Sequence, residues 1–382
     1  MDFTITEEQQ LMVEGIREFC SRWPESYWKE CHEQDKIPYE FCKAYNEAGY
    51  RLMGVPEQFG GIPIDVVTRA LELMELSRNG AISMAVLFPL GSDIWPYHLM
   101  QETPELKAAA GKAVKEGGIL FAIAISEPQA GSDSSAISST YVRQNGKIYL
   151  NGHKMFCTNG SVADYIYTVC RNPEGKTPKD SFSGFLVPGK APGVSFNHIE
   201  KIGMYGQTVD EMFLDNVELE ETSLVGVEGN GFVQVMKGFE AERVTVSAMV
   251  TGWAMGAYED ALQYANTRVQ FGKKIGSFQL IQEKLVNMKI KIENMRNFVL
   301  KSAWLYDRGE ADRTQAAICK LYCVRSAFEV VDDAMQIFGG MGYTKDLRIH
   351  RLWTSTRFFR IAGGTDEIMY YIAGNQILKA AK

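Results

Sequence analysis

The sequence predicts a mainly α-helical protein with a central β domain. Three observations support this prediction. Apolar residues recur at helical spacing over residues 1–118, short β-rich runs separated by turn residues fill residues 119–226, and helical spacing returns over residues 227–382. We therefore expect an N-terminal helical domain, a middle antiparallel β domain and a C-terminal helical domain with these boundaries.

In the N-terminal domain, the apolar residues from Leu11 to Phe19 predict one face of a helix over residues 7–22. Similar spacing predicts helices over residues 66–77 and 104–115.

In the middle domain, residues 140–142 and 147–150 are rich in β-forming side chains and flank Asn145-Gly146, a dipeptide typical of a tight hairpin turn. Further strands are predicted by runs at residues 165–169, 184–187, 194–196 and 211–214.

The C-terminal domain contains the clearest helical stripe. Its apolar residues are separated alternately by four and three positions, which predicts one face of a long helix. They are Ile281, Leu285, Met288, Ile292, Met295 and Val299. Arg308-Gly309 is a typical place for that helix to stop.

Composition excludes several classes of protein. The formal net charge is −7, which disfavours a nucleic-acid binder, and no apolar run reaches the length of a membrane span. Seven cysteines, an odd number without a CxxC pair, argue against a disulfide framework or zinc knuckle. The N-terminus lacks a targeting pattern, so we expect a cytoplasmic protein.

Three segments could carry chemistry, although each also has a plain structural interpretation. The Ser- and Gly-rich loop SEPQAGSD at residues 126–133 could bind a polar heterocycle or phosphate, or be a surface turn. RVQFGKKIGSFQ at 268–279 offers an Arg to a diphosphate, or is a solvated helix end. The glycines in QIFGGMGY at 336–343 and AGGTDE at 362–367 mark turns or close approach to the backbone. No Rossmann, P-loop, HExxH or GxSxG motif is present.

Together these segments, in this order and spacing, resemble the acyl-CoA dehydrogenase family of flavoproteins over essentially the whole chain. Residues 264–284 and 328–342 look most like bacterial enoyl-CoA reductases that act on crotonobetainyl-CoA and caffeoyl-CoA. The resemblance implies the acyl-CoA dehydrogenase fold, in which the middle domain is barrel-like and the C-terminal domain is a four-helix bundle. It also implies non-covalent FAD, and transfer of an α-proton and a β-hydride between an acyl-CoA and its 2,3-enoyl-CoA.

The resemblance also indicates the catalytic base. Many members carry a Glu immediately before the Gly-Thr of the C-terminal loop, but here Gly363 stands at that position. Another branch carries the Glu on an earlier helix before an Arg, and Glu242-Arg243 in FEAER matches that pattern. We therefore expect Glu242 to be the base and the Gly363 N–H to bind the thioester oxygen. The residues alone favour a plainer interpretation, in which Glu242 is a charged helix residue paired with Arg243 or another neighbour.

The remaining site residues carry over from the family by position. For the FAD isoalloxazine and the C-terminal loop they are Ile123, Ile125, Ser126, Phe156, Cys157, Thr158, Thr365 and Glu367. For the FAD diphosphate and adenosine across a subunit boundary they are Arg268, Phe271, Gln279, Gln336, Gly339 and Gly340. Ser132 and Arg243 are the candidate CoA contacts, and no metal is expected. Leu87, Phe88, Trp95 and Tyr370 are candidates for the acyl pocket.

The cross-subunit FAD site implies at least a dimer, and the family pattern is a homotetramer built as a dimer of dimers. The resemblance also implies electron-transfer flavoprotein as the electron partner and leaves the direction of the reaction open. A flavoprotein oxidase of the same fold and a nucleic-acid-associated relative are the alternatives, the latter disfavoured by the acidic charge. One departure is Tyr205, which stands where many relatives carry Arg.

Overall fold

The N-terminal domain is helical, as its periodicity predicts. The computed structural model describes residues 4–91, 97–175, 177 and 181–381. The helices described in this domain are α1 (Glu7–Ser21), α2 (Glu25–Glu33), α3 (Tyr39–Glu47), α4 (Val66–Arg78), α5 (Met84–Leu87) and α6 (Pro104–Glu116).

The ends of these helices have local causes. Thr6 caps α1, because its side chain accepts from the Gln9 backbone N–H and the Gln9 side chain bonds back to Thr6. Helix α6 begins with Pro104 and ends at Gly117, whose φ of 70° lies in the left-handed region that glycine adopts without strain. The chain then turns directly into the middle domain.

The middle domain is one twisted sheet. Its strands are β1 (Phe121–Ala124), β2 (Thr140–Gln144), β3 (Lys147–Thr158), β4 (Tyr165–Arg171), β5 (Phe182–Pro188), β6 (Val194–His198), β7 (Val209–Leu219) and β8 (Leu224–Val225). The order along the sheet is β6-β7-β3-β2-β4-β5-β8, with β1 added on β4. The predicted hairpin is confirmed: Asn145 and Gly146, with φ values of 54° and 76°, join β2 to β3.

The sheet is not wholly antiparallel, which corrects the sequence prediction. Phe121–Ala124 pairs with β4 in parallel, and Thr140 pairs in parallel with Arg171. The hairpin β2–β3 lies between β1 and β4 in sequence and provides the long crossover that parallel neighbours need.

The C-terminal domain is a helical bundle. Its elements are α7 (Gly231–Thr267), a short hairpin of β9 (Val269–Gln270) and β10 (Lys273–Lys274), α8 (Gln279–Asp307), α9 (Arg313–Phe338), α10 (Ile349–Phe358) and α11 (Asp366–Ala380). The predicted stripe faces the core, since Met288, Ile292, Met295 and Val299 are buried in α8. The predicted stop is also confirmed, because Gly309 adopts a φ of 68° just beyond α8.

Helix α7 lies at the centre of the molecule, where it packs against α4, α8 and α9. Gly252 permits the close approach to α4, since a Cβ there would lie 2.3 Å from the Met74 carbonyl oxygen. Trp253 is fully buried and donates its indole N–H to the Ala81 carbonyl at 2.8 Å. The position of any side chain on α7 is therefore set by packing on several sides. In the described part of the chain, no helix is both long and apolar enough to cross a membrane.

Candidate active site

The predicted base and the glycine that replaces the alternative base lie next to each other. Glu242 is a half-buried residue of α7. Among the described residues other than its chain neighbours, Glu242 Oε1 is the only heavy atom within 4 Å of a Cβ built on Gly363, at 3.8 Å. The carboxylate on the helix therefore reaches the space that a side chain on the loop would enter.

The loop that carries Gly363 is shaped by two glycines and a cap. Gly363 and Gly364, between α10 and α11, have φ values of 66° and 93°, a region that favours glycine. Thr365 then caps α11, because its hydroxyl accepts from the Ile368 backbone N–H at 3.3 Å. The chain thus passes Glu242 with its backbone exposed to the site and without a side chain.

A buried lysine that sequence analysis missed supports this loop. Lys320 on α9 is fully buried, and its ammonium donates to the Gly364 carbonyl. Burial lowers the pKa of Lys320 to about 8, against the attraction of the carboxylates Asp366 and Glu242. The sequence does indicate a buried lysine here, because Lys320 is a lone cation in the apolar stripe of α9, three positions after Ala317 and four before Val324.

Arg243, a predicted CoA contact, points inwards. The residue is 5% exposed, and its Nε has no hydrogen-bond acceptor among the described residues. Burial lowers the pKa of Arg243, and the Glu242 carboxylate opposes that shift. Ser132, the other predicted CoA contact, is exposed on its loop. The two residues thus offer a buried donor and a solvent-facing hydroxyl.

The residues predicted to contact the isoalloxazine, here called the wall, lie where β1 ends beside β3. The Met155 N–H donates to the Ser126 carbonyl at 2.8 Å, which holds the loop after β1 against β3. The pairing of β3 with β7 is irregular between Lys154 and Cys157, where Phe156 adopts a φ of 58° and is 61% exposed. This bulge turns an aromatic ring towards solvent, beside the backbone of Ser126.

The other predicted wall residues differ in how deeply they are buried. Ile123 and Thr158 are half-buried, so their side chains reach the surface of the wall. Ile125 is 9% exposed and Cys157 is fully buried, so these two can offer a ligand mainly their backbone. Burial also raises the pKa of the Cys157 thiol, which keeps it protonated and unreactive.

A buried ion pair lies behind this wall. Lys154 Nζ and Glu127 Oε1 are 2.6 Å apart, and both side chains are essentially inaccessible to solvent. Glu127 also accepts the backbone N–H groups of Ser138 and Ser139 at 2.7 and 3.0 Å. Burial alone would raise the pKa of Glu127, but the Lys154 charge and these donors lower it to about 2. The pair ties the end of β1 to β3, the two segments that carry Ser126 and Phe156.

A second group of charged residues surrounds the predicted FAD contacts Thr365 and Glu367. Both line a cavity of about 100 Å³ together with Arg357, Arg360 and Asp366. Arg360 Nε bonds Asp366 Oδ2 at 2.8 Å, while the buried Asp366 Oδ1 has no partner among the described residues. Two guanidinium groups beside a helix N-terminus suit a phosphate. Sequence analysis missed both arginines, although their spacing of three places them on one side of the chain before the loop.

The predicted diphosphate and adenosine contacts lie at the ends of the C-terminal helices. All six are exposed: Arg268, Phe271, Gln279, Gln336, Gly339 and Gly340. Phe271 is 93% exposed at the tip of the β9–β10 hairpin. These positions lie on the C-terminal domain, apart from the wall on the β domain.

The acyl-pocket candidates differ in their exposure to solvent. Leu87 and Phe88 are buried at the end of α5, whereas Tyr370 is 55% exposed and bonds Arg325 through its hydroxyl at 2.6 Å. Trp95 lies outside the described residues.

Comparison with known proteins identifies relatives for each part of the chain. Family models described as acyl-CoA dehydrogenase N-terminal, middle and C-terminal domains match residues 6–114, 122–217 and 229–378. The probable acyl-CoA dehydrogenase YdiO of Escherichia coli K12 is 47% identical over 380 residues, which cover 99% of both chains.

Two solved structures are similar throughout. One belongs to work on the electron transferring flavoprotein of Acidaminococcus fermentans and flavin-based electron bifurcation; it has 29% identity and a TM-score of 0.90, covering 99% of this chain and 100% of that chain. The other is an FAD complex of PigA, with 26% identity and a TM-score of 0.90, covering 99% of both chains.

Proposed function

The chain belongs to the acyl-CoA dehydrogenase family, and on that premise we propose that it interconverts an acyl-CoA and its 2,3-enoyl-CoA with FAD as cofactor. One observation carries the assignment of the base: Glu242 Oε1 lies 3.8 Å from where a side chain on Gly363 would begin. Family members carry the base either on the loop or on the earlier helix. In our proposal this chain carries it on the helix, α7.

In the oxidative direction Glu242 accepts the α-proton of the thioester, and in the reductive direction it returns a proton to the same carbon. An α-proton beside a thioester is a weak acid, so the negative charge that develops on the thioester oxygen needs a fixed donor. The Gly363 N–H is that donor in our proposal. Because Gly363 has no side chain, nothing on that residue competes with the thioester for the space beside Glu242 Oε1.

The residues present fit FAD. Phe156 offers an exposed aromatic ring beside Ser126 for the isoalloxazine, and Arg357 and Arg360 add cations near Thr365 for phosphate oxygens. When bound, FAD supplies the acceptor or donor of the β-hydride. The PigA structure with FAD supports a cofactor in this fold.

For the substrate, we propose a short, branched, polar or aromatic acyl-CoA, in line with the resemblance to crotonobetainyl-CoA and caffeoyl-CoA reductases. Buried Leu87 and Phe88 support a closed apolar end to the acyl site. Ser132 and Arg243 are proposed to contact the CoA moiety.

For partners, we propose electron-transfer flavoprotein and a homotetramer. The relative from Acidaminococcus fermentans supports the first. Exposed apolar side chains support the second, because faces of this kind are usually covered by other subunits. They include Phe271, Leu280, Val286, Ile290, Tyr371 and Leu378. A cytoplasmic location remains a prediction from the sequence.

An anaerobic mixing experiment tests the reaction. The FAD-loaded protein is mixed with a panel of acyl-CoA esters, and loss of flavin absorbance reports reduction; reoxidation by enoyl-CoA esters reports the reverse reaction. We expect Glu242→Gln to slow reduction by about 10²–10⁴-fold, the usual contribution of a general base.

Glu240→Gln is the matched control, since Glu240 lies two residues earlier on α7 and pairs with Arg313. It should reduce at nearly the parent rate. If Glu242→Gln bleaches as fast as the parent, the base assignment is wrong. Steady release of peroxide in air would instead indicate an oxidase.

A further inference from the structure

A small cavity lies where the three domains meet, apart from every residue assigned to the reaction. Its volume is about 20 Å³. Its walls come from α2, the segment between α4 and α5, the loop before β7, and α10. The lining residues used below are Trp28, His32, Ser83, Tyr205 and Arg351. A space of this size accepts one particle about as large as a water molecule.

Two hydrogen-bond donors in the cavity wall have no protein acceptor. Trp28 Nε1 and Arg351 Nη1 are buried without a partner among the described residues, and the two residues are only 7% and 2% exposed. Leaving such donors unsatisfied costs roughly 1–3 kcal/mol each, and more for a charged group. Both groups can only donate, so the occupant must accept from both.

Two other polar side chains of the wall are already engaged. The Tyr205 hydroxyl donates to the Lys201 carbonyl at 2.8 Å, and the Ser83 hydroxyl donates to the Gly206 carbonyl. Arg351 uses Nη2 on Glu25. Arg351 Nη1 and the Trp28 indole are the buried donors of the wall that have no partner among the described residues.

The charges around the cavity favour an anion. Burial lowers the pKa of His32 to about 3, and the positive charges of Arg351 and Lys345 add to this shift, with Asp35 opposing. Asp35 is itself paired with Lys201 and accepts from the Gly206 N–H. The neutral His32 ring packs edge-on against Tyr205, with 4.4 Å between ring centroids, and adds no charge of its own. Arg351 is paired with Glu25 through Nη2, so the Nη1 N–H groups are the part of its cation left for an anion.

We propose that this cavity binds one halide-sized anion, chloride in ordinary buffers, through Trp28 Nε1–H and Arg351 Nη1–H. The anion would join α2 of the N-terminal domain to α10 of the C-terminal domain, next to the loop before β7. Its expected effect is on stability, and it takes no part in the proposed reaction.

Crystallography with bromide tests the proposal directly. Crystals of the FAD-loaded protein grown in bromide should show an anomalous peak within hydrogen-bond distance of both nitrogens. An ordered water there, with no anomalous signal, would overturn the proposal, as would an unoccupied cavity.

Thermal unfolding gives a second, independent measurement. Chloride is titrated against gluconate at constant ionic strength, and a saturable rise in Tm of about 1–3 °C is expected. Trp28→Phe, which removes one donor and keeps an aromatic ring, should abolish that rise. Trp304→Phe is the control, because Trp304 is half exposed on α8, and it should respond like the parent. An equal rise in Trp28→Phe would contradict the proposal. If that variant does not fold, the bromide experiment on the parent decides.

Discussion

The buried ammonium of Lys320 should make the stability of the protein depend on pH in a direction opposite to that of most lysines. The pKa of Lys320 falls from 10.5 to about 8 in the folded protein. Between these values the unfolded chain binds a proton that the folded chain has released, so stability rises with pH over this window. Below pH 8 both states are protonated, and the folded state carries the full cost of the buried charge.

The magnitude follows from the size of the shift. The pKa falls by 10.5 − 8, or about 2.5 units, which corresponds to roughly 3 kcal/mol of unfolding free energy at 1.36 kcal/mol per unit. Lys320→Met has no proton to lose. The unfolding free energy of the variant minus that of the parent should therefore fall by about 3 kcal/mol from pH 7 to pH 10.5.

Urea unfolding of the FAD-loaded parent and variant, measured every half unit from pH 7 to pH 10.5, provides the comparison. Lys301→Met, an exposed lysine on α8, controls for the loss of one cation. A difference between Lys320→Met and the parent that stays constant over this range would refute the reasoning, because it would mean that Lys320 has the same pKa in both states.

Two further predictions concern the loop and the wall. Gly363→Ala should fold with a loss of about 1–2 kcal/mol from its positive φ, since the nearest described atom to the new Cβ, Glu242 Oε1, lies at an ordinary contact distance of 3.8 Å. Gly364→Ala should lower Tm further, because its φ of 93° lies farther from the conformations that other residues adopt and its Cβ would also displace the Met369 methyl, 2.7 Å away; equal Tm values would contradict this. Lys154→Met should cost about 3–5 kcal/mol in urea unfolding by leaving Glu127 buried and unpaired. Changing Glu127 to Gln in the same chain should recover part of that loss, and no recovery would show that the charge is not the cause.

Much of the fold could be predicted because it depends on local patterns, whereas the candidate site residues came from the resemblance to a family and stay predictions. Hydrophobic spacing predicts α8, and Asn145-Gly146 predicts the β2–β3 hairpin, because both elements depend on residues that are neighbours in sequence. The choice of Glu242 in place of Gly363 depends instead on the resemblance to the family, and the structure adds that the two positions are neighbours. Contacts between distant segments have no such signal. Lys320 reaches the loop across 44 residues, and Lys154 pairs with Glu127 across 27. Their roles depend on burial, which only the folded chain defines.

The separation of Glu242 from the loop that carries Gly363 has an evolutionary consequence. Helix α7 is fixed by neighbours on several sides, whereas the loop is held by the Lys320 ammonium, the Thr365 cap and the Arg360–Asp366 ion pair. Under the proposed assignment of Glu242 as the base, the loop can change to fit another acyl group while the carboxylate keeps its position on α7.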